Sequence, residues 1–109
     1  LTRFPDELSA RDAKELLDSK KGVCLLDVRQ AFEFDLCHVQ GSLHVPLDQL
    51  TSRIDEIPRG VPVLTLCHHG VRSCQAALYL RQAGFDTVSS VKGGIDAWAK
   101  DVDPSIKTY

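Results

Sequence analysis

The chain has 109 residues, of which 43% are apolar and 26% charged, and its formal net charge is −2. That length predicts one domain over residues 1–109 with one modest core. The near-neutral balance excludes an electrostatic footprint for nucleic acid or an anionic membrane, and no apolar run approaches the roughly 20 residues that span a bilayer.

Taken in order, Phe4 precedes Pro5, which turns it away from helix and predicts a short first strand there. The opening residues hold no signal-peptide apolar region. Ser9 reads as an N-cap, with Asp12 making an imperfect capping box, and Ala10, Ala13, Leu16 and Leu17 share a helical face. Lys20, Lys21 and Gly22 end that helix with cationic charge and a C-cap glycine. Residues 23–28 form a near-continuous apolar run, suited to a strand covered on both faces of a parallel sheet. Residues 29–36 predict a short helix, and residues 38–46 a turn and a short strand. Leu47, Leu50 and Ile54 mark a further helix that ends before Pro58. A strand over 62–66, a helix over 73–83 closed by Gly84, and a β-branched strand over 87–91 follow. Gly93-Gly94 turns into a last helix carrying Ile95, Ala97 and Trp98, with Trp98 as core or rim packing, while residues 102–109 show no period. Alternating strands and helices predict an α/β domain, its sheet mainly parallel and its helices on both faces.

Between the strand over 62–66 and the next helix lies Cys67-His68-His69-Gly70-Val71-Arg72-Ser73. Backbone N–H groups of such a loop can turn inward to form an anion-binding concavity. A helix starting near Ser73 adds unpaired N–H groups and the positive end of its dipole. A thiol there is favoured as thiolate and is nucleophilic at neutral pH. Cys67 also stands at the carboxyl end of its strand, where open α/β sheets bind ligands. A free cysteine is most often a small buried apolar residue. That plainer reading suits Cys24, in mid-strand, and Cys74, expected to pack in the helix with oxidative pairing to Cys67 as its alternative. The cysteines Cys24, Cys37, Cys67 and Cys74 fit reduced thiols in a cytoplasmic setting. Cys67, His68 and His69 are poorly spaced to close on one ion, so no metal or cofactor is expected.

Three motifs in order resemble the rhodanese family. They are Leu26-Asp27-Val28-Arg29 with Glu33-Phe34, His38-Val39-Gln40-Gly41-Ser42 and Val45-Pro46; then Cys67-x-x-Gly70-x-Arg72-Ser73; then Lys92-Gly93-Gly94-Ile95-x-x-Trp98. The resemblance implies a rhodanese-like three-layer fold and a sulfurtransferase, with Cys67 holding a sulfane sulfur as a persulfide. It implies that the amides of residues 68–72 cradle the persulfide and the departing anion, so that His68, His69, Gly70, Val71, Arg72 and Ser73 bind substrate. Its partners are a small-molecule sulfur donor, a thiol or cyanide acceptor, or a sulfur-relay protein. Cys37 stands where the family often has glycine and His44 where asparagine is common; a glycine at 37 would suit a turn with positive φ. Cys37 reads as a tolerated substitution rather than a resolving thiol. Residues 103–109 resemble the ending of rhodanese domains fused to sulfur-carrier-activating enzymes.

His68 and His69 can donate to a sulfonate or sulfite oxygen, or simply face solvent. Arg72 can neutralise a bound anion, which is favoured, or brace the loop through a carboxylate. Asp27 is expected to satisfy loop N–H groups, Arg29 to pair with Glu33 at i, i+4, and His38 to be a structural hydrogen-bonder. Gly93-Gly94 predicts a close approach to the site with helix N–H groups exposed. The alternatives to sulfur transfer are a cysteine-dependent phosphatase or arsenate reductase on the same fold, and an idle interaction module. Cysteine-phosphatase signatures place arginine six positions after cysteine; here Arg72 is five positions after Cys67. The shorter ring suits one sulfur better than a phosphoryl group.

Overall fold

Four of the five strand-like runs become strands of one sheet where the sequence places them. The computed structural model describes residues 4–109, so the first three residues of the expected 1–109 span lie outside the described residues. The strands are β1 (Glu7–Leu8), β2 (Cys24–Asp27), β3 (Leu43–His44), β4 (Val63–Leu66) and β5 (Val88–Val91). The helices are α1 (Ala10–Ser19), α2 (Ala31–Leu36), α3 (Val71–Gln82) and α4 (Gly94–Asp101). The sheet runs β1-β5-β4-β2-β3 with every pairing parallel, so β4 is its centre.

The continuous apolar runs follow from burial on both sides. Neighbouring residues of a strand point to opposite faces. Leu26, Val28, Val63 and Val88 pack against Ala76, Ala77 and Leu80 of α3 and against Val45, Leu50 and Ile57. On the other face Leu25, Leu64, Leu66 and Val91 meet Ala10 and Ala13 of α1 and Ile95 and Trp98 of α4. Each fully buried aliphatic side chain stabilises this arrangement by roughly 1.5–3 kcal/mol. Ser9 caps α1 as the sequence indicates, its hydroxyl accepting from the Asp12 N–H at 3.1 Å.

Three expectations are corrected. The first strand lies at Glu7–Leu8, not at Phe4 and Pro5. It pairs with β5 through the Ser90 N–H to Asp6 at 2.9 Å and the Lys92 N–H to Leu8 at 2.8 Å. Proline has no N–H to give such a ladder. The helix expected around Leu47 to Ile54 is two short 3₁₀ turns, Leu47–Gln49 and Ile54–Glu56. Its apolar pairs, Leu47 with Leu50 and Ile54 with Ile57, are spaced by three, which is the period of that tighter helix. Helix α3 begins at Val71, two residues before Ser73, so three of the seven residues from Cys67 to Ser73 are already helical.

Candidate active site

All five strands run the same way, and β2, β4 and β5 end with Asp27, Leu66 and Val91 on one edge. Cys67 follows β4 directly there and is 1% exposed. Gly70 caps α3 with φ +111°, a left-handed turn that a side chain would strain. The turn swings the Gly70 N–H back onto Cys67 Sγ at 3.0 Å. Behind the sulfur, the Cys67 thiol donates to Ser73 Oγ at 3.4 Å, and Ser73 Oγ lies 2.7 Å from Ser90 Oγ. The Thr65 hydroxyl donates to the Ser73 carbonyl at 2.7 Å. Ser73, Ser90 and Thr65 are fully buried, so a polar floor lies behind the sulfur inside an otherwise apolar core, with Ser73 touching the sulfur and Ser90 and Thr65 holding Ser73. At the start of α3 the first-turn N–H groups have no carbonyl of their own helix to bond, and the dipole there favours negative charge.

Helix α4 is tied to this loop. The Ile95 N–H donates to the Cys67 carbonyl at 2.8 Å and the Asp96 N–H to the His68 carbonyl at 3.2 Å. The expectation that the amides after Gly93-Gly94 stay exposed is therefore corrected. They are occupied by loop carbonyls, which turns those carbonyls away from the concavity. The contact needs Gly94: a Cβ there would lie 2.4 Å from the His68 carbonyl oxygen and 2.5 Å from that of Cys67, at φ +62°. Gly94→Ala is expected to push the loop off α4, to cost about 2 kcal/mol or more of stability, and to slow reaction at Cys67. Urea unfolding and alkylation kinetics measure the two effects; an unchanged midpoint and rate would contradict this account of the tether.

Arg72 is paired with a carboxylate, the bracing alternative to the favoured neutralising of an anion. Its Nη1 and Nη2 donate to Glu33 Oε1 and Oε2 at 2.6 and 2.8 Å. The Glu33 carboxylate is 6% exposed and is held down to about pKa 2, chiefly by Arg72 and further by the Tyr109 hydroxyl and the Gln30 N–H. Arg29 consequently does not pair with Glu33. Its guanidinium bonds Asp27 Oδ2 from Nη2 at 2.7 Å, with both groups fully buried, and gives the Glu33 carbonyl only a 3.3 Å contact from Nη1. Asp27 accepts one backbone N–H, that of Arg29 at 3.0 Å.

His68 and His69 stack at 3.8 Å, and the other face of His68 lies on Tyr109, also at 3.8 Å. His68 Nε2 is 2.8 Å from the Tyr109 backbone oxygen, while His69 is exposed. Val71 is exposed at the mouth. His38 Nδ1 bonds the Phe34 carbonyl at 2.8 Å, the structural role expected of it. Trp98 is core rather than rim.

Among the other cysteines, Cys24 is buried, and burial pushes its thiol up to about pKa 11. Cys74 is exposed rather than packed, 3.7 Å from Glu7 Oε2. Cys37 has φ −166°, extended backbone that any residue adopts, so no glycine is required there. Among the described residues no group of three or more His, Cys, Asp or Glu side chains is placed to hold a metal ion, and no helix is long and apolar enough to cross a membrane.

Sequence reasoning missed Thr65, Ser90 and Tyr109. Small hydroxyl residues inside the apolar runs of β4 and β5 were a signal for the first two, since a buried hydroxyl must find a partner. For Tyr109 the resemblance of residues 103–109 to a family ending gave no hint of a contact with the loop.

The Rhodanese-like domain family model matches residues 9–101. The thiosulfate sulfurtransferase GlpE of Actinobacillus pleuropneumoniae is 35% identical over 103 residues, covering 94% of this chain and 94% of that protein. The adenylyltransferase and sulfurtransferase MOCS3 of Arabidopsis thaliana is 31% identical over 118 residues; that match takes in 94% of this chain, which spans only 25% of the plant protein. Among solved structures, a rhodanese-related protein from Thermoplasma volcanium superposes with a TM-score of 0.81 at 27% identity, covering 99% of this chain and 100% of that one. With likeness to a sulfurtransferase along most of its length and the same fold in a solved relative, the chain belongs to the rhodanese-like domain family.

Proposed function

We propose that the chain, acting as one domain, is a sulfurtransferase that works through a persulfide on Cys67. The observation that carries this reading is the Gly70 N–H on Cys67 Sγ at 3.0 Å, at the carboxyl end of the central strand. A hydrogen bond donated to sulfur fixes its position and turns a backbone amide toward the place where negative charge gathers. In the first half-reaction the Cys67 thiolate attacks the outer sulfur of thiosulfate. A new S–S bond forms, the S–S bond of thiosulfate breaks, and sulfite leaves with the bonding electron pair. In the second, cyanide or a thiolate attacks the outer sulfur of the persulfide, and Cys67 leaves as thiolate.

The backbone of His68, His69, Gly70, Val71, Arg72 and Ser73 forms the cradle, and Ser73 Oγ supports the sulfur from behind. Arg72 contributes by bracing the cradle through Glu33. The name of the Arabidopsis thaliana relative pairs adenylyl transfer with sulfur transfer, which supports a protein persulfide as an alternative donor within a sulfur relay. The proposed setting is the cytoplasm, where thiols stay reduced.

A phosphatase requires an arginine turned toward the phosphoryl group and an acid for the leaving group. Arg72 is engaged by Glu33, and residues 67–72 contain no carboxylate. The test is intact mass. Thiosulfate should add one sulfur atom, about 32 Da, as the nucleophile takes it up, and cyanide should remove it as thiocyanate. Cysteine-dependent hydrolysis of p-nitrophenyl phosphate without that mass gain would replace this reading with the phosphatase; neither activity would leave the interaction module.

A further inference from the structure

We infer that Tyr109 is a positioning residue for the sulfur-transfer loop, a clasp that joins its two ends; the inference rests on the proposed sulfur transfer at Cys67. One end of the loop is His68. The Tyr109 ring lies on the His68 ring at 3.8 Å with 6° between their planes, and the Tyr109 backbone oxygen accepts from His68 Nε2 at 2.8 Å. The other end is Arg72, reached through Glu33. The Tyr109 hydroxyl donates to Glu33 Oε2 at 2.8 Å and accepts from Arg29 Nη1 at 2.9 Å. One side chain thus touches the residue after Cys67 and the carboxylate that fixes Arg72. Within the loop the Cys67 thiol reaches Ser73 Oγ at 3.4 Å on the buried side; Tyr109 ties the same two ends through His68 and Glu33.

The polarity of the contact is complementary. A phenol between a carboxylate and a guanidinium uses its proton for the one and its lone pair for the other. Burial, more than its neighbours, pushes the Tyr109 hydroxyl up to about pKa 12, so the proton that Glu33 needs is present at neutral pH. The tyrosine is still 39% exposed and lies on a surface segment whose nearest apolar anchor is the partly buried Ile106. It can therefore release without disturbing the sheet. Opening the clasp frees His68 and loosens Glu33, so both ends of the ring of amides around Cys67 gain freedom together.

The test compares Tyr109→Ala and Tyr109→Phe with the parent. Alkylation of Cys67 by iodoacetamide, followed by peptide mass mapping, reports access to a thiol that is 1% exposed. Losing the stack and the charge-assisted hydrogen bonds is expected to raise that rate about tenfold in the alanine variant. The phenylalanine variant keeps the stack and should fall between the two. Sulfur uptake should change in the opposite direction: turnover lowered about tenfold in the alanine variant, with the thiosulfate concentration for half-saturation nearly unchanged, as expected when alignment rather than binding is lost. Parent-like alkylation of Cys67 in Tyr109→Ala would overturn the clasp, as would a parallel rise at buried Cys24, which reports general unfolding. If the parent itself took up no sulfur, the proposed function would fail while the alkylation comparison still decided the clasp.

Discussion

Cys67→Ser is expected to abolish sulfur uptake from thiosulfate and thiocyanate formation, down to the uncatalysed background, while leaving the fold in place. A hydroxyl is a weak nucleophile unless a neighbouring base takes its proton. The group touching this position on its buried side is the Ser73 hydroxyl, which is no base. His68 is turned to the Tyr109 backbone oxygen. A serine at 67 would therefore be accepted by the same floor of hydroxyls and the same Gly70 N–H, yet could not attack. Thermal unfolding should move by only a few degrees, the shift that about 1 kcal/mol produces in a domain of this size. Cys24→Ser and Cys74→Ser serve as contrasts: Cys24 is sealed in the sheet and Cys74 lies out on α3, and both proteins should still gain a sulfur. Persistence of the mass gain in C67S would mean that another thiol carries the chemistry.

Asp27→Ala is expected to cost about 3–5 kcal/mol of stability, because it leaves a buried cation without its anion. Arg29 and Asp27 are both fully buried. Arg29 Nε donates to Asp27 Oδ1 and Oδ2 at 3.0 and 3.1 Å and Nη2 to Oδ2 at 2.7 Å. The remaining partners of the guanidinium, the Cys37 carbonyl at 2.7 Å, the Tyr109 hydroxyl at 2.9 Å, the Glu33 carbonyl at 3.3 Å and Cys37 Sγ at 3.9 Å, carry no full charge to replace the carboxylate. A domain of this length has a total stability of roughly 5–15 kcal/mol, so the loss is a large share of it. Urea unfolding should show the midpoint falling by more than about 1 M with little change in slope. A loss under about 1 kcal/mol would mean that water reaches Arg29 in the variant and that the pair contributes little. Replacing both residues with apolar side chains of similar volume should recover much of the loss, since the penalty comes from the orphaned charge rather than from the missing pair.

These two residues illustrate how far the sequence could be read. The strand over 62–66, the glycine three positions after Cys67 and the following helix place that thiol by local rules alone. Parallel strands buried on both faces leave continuous apolar runs, and a loop that must fold back on a thiol needs glycine at a positive φ. The glycine pair at 93 and 94 was legible in the same way as a close approach, because only a missing Cβ permits it.

Charge partners were not legible. Arg29 and Glu33 stand four apart and suggest a helical pair, yet α2 begins only at Ala31, so Arg29 precedes the helix and turns back to Asp27. Glu33 is then free to meet Arg72, 39 positions away. Sequence spacing governs pairing only within one regular element. Across elements, the sheet order sets which side chains meet.

By itself the sequence determined an α/β architecture with a mainly parallel sheet, the three motifs and Cys67 as the thiol at the carboxyl end of the strand over 62–66, since each depends on periodicity, turn chemistry or residue type. Only the tertiary structure decided that Arg72 braces the loop, that α4 gives its first amides to loop carbonyls, that Ser90 and Thr65 furnish a polar floor, and that Tyr109 returns to His68. Each of these contacts joins segments distant in the chain. A guanidinium, an amide or a phenol satisfies whichever partner the packed sheet brings within about 3 Å, and that choice has no local signature.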